Sequence, residues 1–246
     1  MGEKKDEGKK EEKKEKKDEG KKEDTNDEEK KEEKQDEEKH DEEGNEVVDY
    51  SNVEEVFGAD RGTFVLHEDI TQFAGMEEIG ATVVAVYMRC LYDLLREANM
   101  CSMVGFIDPA QVSANAGSLT DRSRIVASRL QKTDGEQIFM MPYNPGRHWV
   151  LLIVRAKRET VYFLDPLPGN HVVDEEDKNI VNSTPKQPSS VECGYYVMRF
   201  MRDIIMDPSL EFEKKFAKVK DQAPYPQAAI DEVWKEWAEF VCLHMD

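Results

Sequence analysis

The sequence lacks any run of about 18 apolar residues, and its first ten residues, MGEKKDEGKK, hold nothing like an apolar leader. A membrane span and a secretory signal are therefore not expected, and the protein reads as intracellular. Cysteine is sparse. Cys90, Cys101, Cys193 and Cys242 lie far apart with no CxxC pair, which argues against a zinc ribbon and a disulfide framework and for reduced thiols. Histidine is sparse too: His40, His67, His171 and His244 have no His, Cys or carboxylate partners at ligand spacing beyond what so acidic a chain supplies by chance, so no metal or other cofactor is expected. Clustered positive charge is also missing. With 31 acids against 20 Lys/Arg in residues 47–246, a net charge of −11, direct nucleic-acid binding is disfavoured, because phosphate recognition is driven by grouped Lys and Arg, and a protein ligand is expected instead.

What is present divides into two parts. Residues 1–46 hold 22 Asp/Glu and 14 Lys, with no aromatic and, apart from Met1, no large apolar residue, so this stretch cannot build a core and reads as a disordered polyampholyte tail. A solvated solubilising tail and a specific docking arm both fit it, and interleaving with glutamate makes its lysines a poor import cluster. Residues 47–246 carry 31 acids and 20 Lys/Arg, about a quarter charged, which is ordinary globular composition.

Periodicity then places the elements. Within 77–95, Ile79, Val83, Val86, Tyr87, Cys90, Leu91 and Leu94 recur at steps of three and four, the signature of a buried helix stripe. Residues 99–117, with Gly105, Pro109 and Gly117, read as a loop with at most a turn of helix, and 121–131 as a short helix. Three strands follow at 136–142, 148–154 and 160–167, the first two separated by Pro145-Gly146 and the last two by a polar break at 155–159. Helical spacing returns in YYVMRFMRDII and again in 227–243, where Ile230, Val233, Trp234, Trp237, Phe240 and Val241 share a face. The pattern predicts an α+β domain.

Two residues gain interest from position. If the second and third strands pair about a turn centred between Ala156 and Lys157, His148 faces Asp165, and directly opposed residues have Cβ atoms about 5 Å apart. Such a pair fixes an imidazole tautomer and supports an imidazolium. Cys193 stands where a loop enters an apolar-striped helix, and the free N–H groups of that terminus favour a thiolate. Gly194 beside it allows close approach of another segment. Taken singly, a His at a strand start and a Cys on the apolar side of a helix are usually structural, which is the reading for Cys90, Cys101 and Cys242.

The joint order GRHW, LDPL, PKQP and ECGYYV changes this, with a His-to-Asp step of 17 and a Gln-to-Cys step of 6. Over roughly 77–241 the chain resembles the ubiquitin-like-protein-specific cysteine proteases, the SUMO-protease family, and most closely its divergent, transposon-associated plant branch. The resemblance implies a papain-like architecture with a central mixed sheet flanked by helices. It also implies a thiol peptidase or isopeptidase cleaving after the Gly-Gly terminus of a ubiquitin-like modifier. Carried over, Cys193 is the nucleophile, His148 its general base and later acid, Asp165 the orienter of His148, and Gln187 the oxyanion-hole donor. Trp149 resembles the aromatic that covers the Gly-Gly tunnel; a buried strand tryptophan is the equal alternative. The implied partner is the modifier or its conjugates, the expected state a monomer, and the location nucleus or cytoplasm, with the family favouring the nucleus.

The chain departs from the family twice. It lacks the upstream tryptophan and the Leu-Asn-Asp motif, reading DITQFAGMEEIG there, which leaves the modifier open. The interval from Asp165 to Gln187 is short where a helix and a strand normally intervene, so Gln187 is expected on a mobile, proline-flanked loop and turnover is expected to be weak. Two other readings follow: a catalytically weak or silent modifier-binding module of transposon origin, and an acyltransferase working through an acyl-cysteine.

Overall fold

The three apolar runs in the middle of the chain form the centre of one sheet. In the computed structural model, which describes residues 48–50, 53–59, 63–167, 179–180, 184–217 and 223–244, they are β4 (Ile138–Tyr143), β5 (Val150–Arg155) and β6 (Thr160–Leu164). The 1–46 tail lies outside the described residues. The short strands β3 (Val104–Phe106) and β7 (Asn179–Ile180) complete the sheet in the order β3-β4-β5-β6-β7. Both outer pairs are parallel and both inner pairs antiparallel, so the sheet is mixed.

Alternation along the central strands divides the apolar side chains between two faces. Met140, Leu151 and Ile153 enter the main core, while Phe139 and Val154 enter a smaller cluster with Ile107 and Val112. Helices α3 (Ala81–Glu97), α6 (Cys193–Ile205) and α8 (Gln227–Cys242) pack with one another, and their buried faces fill the main core. The smaller cluster is covered by α4 (Pro109–Val112) and α5 (Leu119–Gln131), the latter through Ile125, Val126 and Leu130. This is the α+β, helix-flanked mixed sheet that the sequence predicts.

Several elements differ from the sequence reading. The stretch 99–117 contains β3 as well as α4: Gly105 pairs with Phe139, and a Cβ at Gly105 would lie 2.5 Å from the Phe139 ring, so the glycine is there to let the ring cross the strand. Upstream of Glu77 the core continues. A hairpin of β1 (Val48–Tyr50) and β2 (Thr63–Val65), with α1 (Val53–Phe57) between its strands, leads into α2 (His67–Ala74). Phe73 of α2 lies 4.1 Å from Trp237 and 5.4 Å from Tyr195 between ring centroids, and Tyr195 Oη donates to the Phe73 carbonyl. Removing a ring as buried as Trp237 costs about 3–5 kcal/mol. The core thus takes in Val56, Phe57, Val65 and Phe73, within the globular stretch that begins at 47. Helix α7 (Phe212–Ala217), also unread from sequence, buries Phe212 and Phe216.

The β5–β6 connection shifts the predicted register. Leu151 pairs with Leu164 and Arg155 with Thr160, which moves the pairing by two residues and places Val150, not His148, nearest to opposite Asp165. The cause is the turn: Ala156–Arg158 forms a 3₁₀ turn and Glu159 takes the left-handed conformation at φ 50°, so the connection is longer than assumed. A shift of two preserves side-chain parity, so His148 and Asp165 remain on one face as diagonal neighbours.

Candidate active site

His148 is presented by the tight turn that joins β4 to β5. Asn144 Oδ1 accepts from the backbone N–H of Gly146 (2.8 Å) and of His148 (3.2 Å), bending the chain so that Gly146 and Arg147 both take positive φ, 129° and 62°. Glycine suits the first of these positions; arginine at the second is held there by the turn. Asp165 follows the last residue of β6, and His148 Nε2 lies 2.8 Å from its Oδ1. The same oxygen accepts from Leu167 N–H at 2.8 Å.

Cys193 is the first residue of α6 and is buried at 3% exposure. It hydrogen-bonds His148, and because Nε2 is taken by Asp165, Nδ1 is the ring nitrogen left for the sulfur. Burial lowers the proton affinity of His148, but the hydrogen bonds and negative charge of Asp165 and Cys193 outweigh it and push the pKa up to about 9. Burial likewise works against the Asp165 carboxylate; His148, Leu167 N–H and Lys186 overcome it and hold the group below the ordinary carboxylate range. One imidazole thus bridges a carboxylate and a thiol and favours its charged form at neutral pH.

Around the thiol the packing is tight. A Cβ on Gly194 would lie 2.4 Å from Ile79 Cγ1, so the close approach allowed by this glycine is that of the Ile79 side chain. Trp149 is buried, donates from Nε1 to the Ile79 carbonyl (3.0 Å) and passes beside Gly194.

Gln187 is buried, and its surroundings differ from the mobile loop expected from the short interval. The 165–187 interval contains β7, paired with Tyr162 and Phe163 of β6. Beyond it, Gln187 N–H donates to Pro166 O (2.8 Å), and both Thr184 Oγ1 (2.9 Å) and Lys186 Nζ (2.8 Å) donate to Asp165 O. The Gln187 amide donates from Nε2 to Ser189 O at 2.6 Å, while Oε1 is buried without a partner among the described residues. Ser189 N–H then bonds Glu192, the residue before Cys193. A short segment is stitched at both ends, which a count of residues does not reveal.

The other described cysteines and histidines sit apart from this cluster. Cys90 is pushed up to about 12 by burial and by the carboxylates of Glu236 and Asp93, so it stays a thiol. Cys242 is exposed, His67 lies on the surface of α2, and His244 Nδ1 bonds Phe240 O. His40 and His171 lie outside the described residues. Among the described residues no group of three or more His, Cys, Asp or Glu is arranged to hold a metal ion, and no helix is long and apolar enough to cross a membrane. Sequence reasoning gave no role at the site to Asn144, Thr184 or Lys186, and read Ile79 only as part of a buried stripe. Only Asn144, in the turn signal Asn-Pro-Gly, left a trace in the sequence that could have been read.

The sequence matches no protein-family model and none of the curated proteins. The fold does have solved counterparts. A de-sumoylating protease superposes with a TM-score of 0.54 at 12% identity, covering 81% of this chain and 93% of that one. The Xanthomonas campestris effector protein XopD, bound to ubiquitin, gives 0.50 at 17% identity, covering 66% and 91%. The SUMO protease Ulp1, with its catalytic cysteine oxidised to a sulfenic acid, gives 0.50 at 14% identity, covering 79% and 91%. The chain has the fold of these ubiquitin-like-protein protease catalytic domains.

Proposed function

We propose that this chain is a cysteine peptidase that cleaves after the C-terminal Gly-Gly of a ubiquitin-like modifier, in SUMO-type deconjugation or precursor processing. The observation that carries the reading is the single imidazole joined to Asp165 through Nε2 and to Cys193 at the start of α6. In this mechanism the Cys193 sulfur attacks the carbonyl carbon of the terminal glycine. The proton on His148 Nδ1 passes to the departing amine, and a thioester remains on Cys193. Water then attacks the thioester while Nδ1 takes one of its protons, and the C–S bond breaks, releasing the carboxylic acid of the modifier and returning the Cys193 sulfur beside a protonated His148. Asp165 keeps the ring oriented throughout.

The oxyanion formed in both steps would be met by Gln187 Nε2, whose second hydrogen is not used by Ser189, and by the backbone N–H at the start of α6. Trp149, lying beside Gly194, serves in this reading as a wall for the narrow Gly-Gly tail. The acidic folded part is compatible with a protein substrate, and the ubiquitin held by one neighbour and the SUMO processed by others define the modifiers to try first.

The test is exposure of the full chain to ubiquitin-like modifiers carrying a C-terminal electrophile. A covalent adduct on Cys193 with one modifier is the expected result. Absence of an adduct with every modifier, while a small alkylating agent still labels Cys193, would reject the peptidase reading. A second reading, a modifier-binding module with weak or no turnover, is favoured by the commitment of Gln187 Nε2 to Ser189 O. It predicts modifier binding without an adduct.

A further inference from the structure

Two catalytic assignments, Asp165 and Gln187, come from segments separated by 21 residues of intervening sequence, yet their main chains are joined directly. Thr184 Oγ1 and Lys186 Nζ converge on the Asp165 carbonyl, Lys186 Nζ also reaches Thr184 Oγ1 at 3.2 Å, and Gln187 N–H closes on Pro166 O. Thr184 is fully buried. From Gln187 the bonds continue through Ser189 to Glu192, at the threshold of Cys193.

Lys186 is an unusual choice for such a place. Its ammonium donates to two neutral oxygens, and among the described residues no carboxylate lies within ion-pair distance of it. Burial lowers its pKa, partly offset by the negative charge of Asp165. A half-buried ammonium is costly to desolvate, and among the described residues the contacts that offset this cost are the Asp165 carbonyl, Thr184 Oγ1 and the nearby Asp165 charge. What this one does is tie the residue next to Gln187 to the peptide that carries the His148 partner.

Resting on the peptidase reading above, we infer that Lys186 is a positioning residue: with Thr184 it clasps the Gln187 segment to the Asp165 peptide, fixing the oxyanion donor relative to the His148–Asp165 pair. The clasp sets the register of Gln187, whereas the side-chain contacts of His148 with the Asp165 carboxylate and with Cys193 do not pass through it. Loss of the clasp therefore separates two properties that rise and fall together when the imidazole itself is disturbed. Turnover needs the donor; thiol alkylation does not.

The experiment uses the full chain as wild type, Lys186→Met and Lys186→Arg. Three quantities are read: hydrogen exchange at 165–167 and 184–193, iodoacetamide labelling of Cys193, and hydrolysis of a coumarin amide of the modifier that forms the adduct. Lys186→Met is expected to speed exchange in both segments. It should lower kcat by about 10- to 100-fold, as a misplacement near 1 Å does, with KM and Cys193 labelling within about threefold. Lys186→Arg, which keeps charge and donors, is expected to restore most of kcat.

Unchanged exchange in Lys186→Met overturns the inference, as does unchanged kcat. A parallel fall in labelling and turnover also overturns it, because Lys186 would then act through His148. If the wild type reacts with no modifier probe, the peptidase reading fails separately. Exchange then decides the clasp alone: acceleration in both segments upholds it, and acceleration confined to 184–193 refutes it.

Discussion

Helix α6 carries charge near both of its ends, and the two places are built differently. At its first residue Cys193 meets the imidazole of His148, whose Nε2 lies 2.8 Å from Asp165 Oδ1. Two turns on, Arg199 pairs with Asp203 and Glu232, and Arg202 pairs with Glu232 and, through two contacts of 2.8 and 3.0 Å, with Glu236. Glu236 in turn accepts from Tyr87 Oη at 2.7 Å, joining α3, α6 and α8. The second place is redundant: each cation keeps a partner if one is lost. The first is a chain of unlike groups, sulfur, imidazole and carboxylate, none of which can take the place of another. The two cysteines show the same contrast. Cys90, near Glu236, is surrounded by acid and held as a thiol, whereas Cys193 is placed beside a base. Charge that holds a fold is shared among like groups; charge that moves protons runs along a chain of unlike ones.

The sharpest way to break this comparison is at the sulfur. Cys193→Ser is expected to abolish turnover, a loss of several orders of magnitude as for other single nucleophile replacements, while the melting temperature stays within a few degrees. Retained hydrolysis would remove Cys193 from the mechanism. Asp165→Asn should come next, lowering kcat by about 10²-fold or more with little change in KM, because the ring loses its orienting charge but the docking surface is untouched. It should also move the alkaline limb of activity. In the wild type the imidazolium persists up to about 9, so activity falls as pH rises through that value; without the Asp165 charge the limb shifts toward the ordinary histidine value. A limb that stays in place would show that Asp165 does not support the imidazolium.

The same shift has a stability side. Because the folded pKa of His148 lies above its unfolded value of about 6.5, its contribution is fully present below that value and is lost as pH rises through about 9. The wild type should lose melting temperature over this window relative to His148→Ala. At the redundant end the expectation is reversed: Glu236→Gln should cost about 1–2 kcal/mol of stability, since Arg202 keeps Glu232, and leave Cys193 labelling unchanged. A change in labelling without a change in stability would mean that the two ends are coupled.

How much of this was legible follows from what each residue does. Strands β4, β5 and β6 and helices α3, α6 and α8 announce themselves because their side chains fill the core with regular periods. Strand β3 hides because its central residue, Gly105, has no side chain and exists to admit the Phe139 ring. The hairpin arithmetic missed the register by two because a 3₁₀ turn and a left-handed Glu159 are not encoded in apolar spacing, while parity, which is, survived. His148, Asp165 and Cys193 stand out by residue type and order. Thr184 and Lys186 do not, since they work through main-chain oxygens, and no periodicity marks a residue that bonds a carbonyl 19 or 21 positions away.

The smallest expected effect tests whether the support of the imidazole extends to Asn144. Its Oδ1 holds Gly146 and His148 N–H and so maintains the left-handed Arg147 just before the imidazole. Asn144→Ala removes both bonds, a cost of about 1–2 kcal/mol, and frees the turn to relax toward ordinary φ. The ring would then meet Asp165 less well, so turnover should fall about tenfold and the alkaline limb should drop from about 9 by a fraction of a unit. Asn144→Asp keeps the acceptor oxygen and should retain the geometry; its added charge can only favour the imidazolium, so its limb should not fall. If Asn144→Ala loses stability but keeps both its turnover and its pH limb, the turn is a fold element alone, and His148 takes its position from β5 and Asp165.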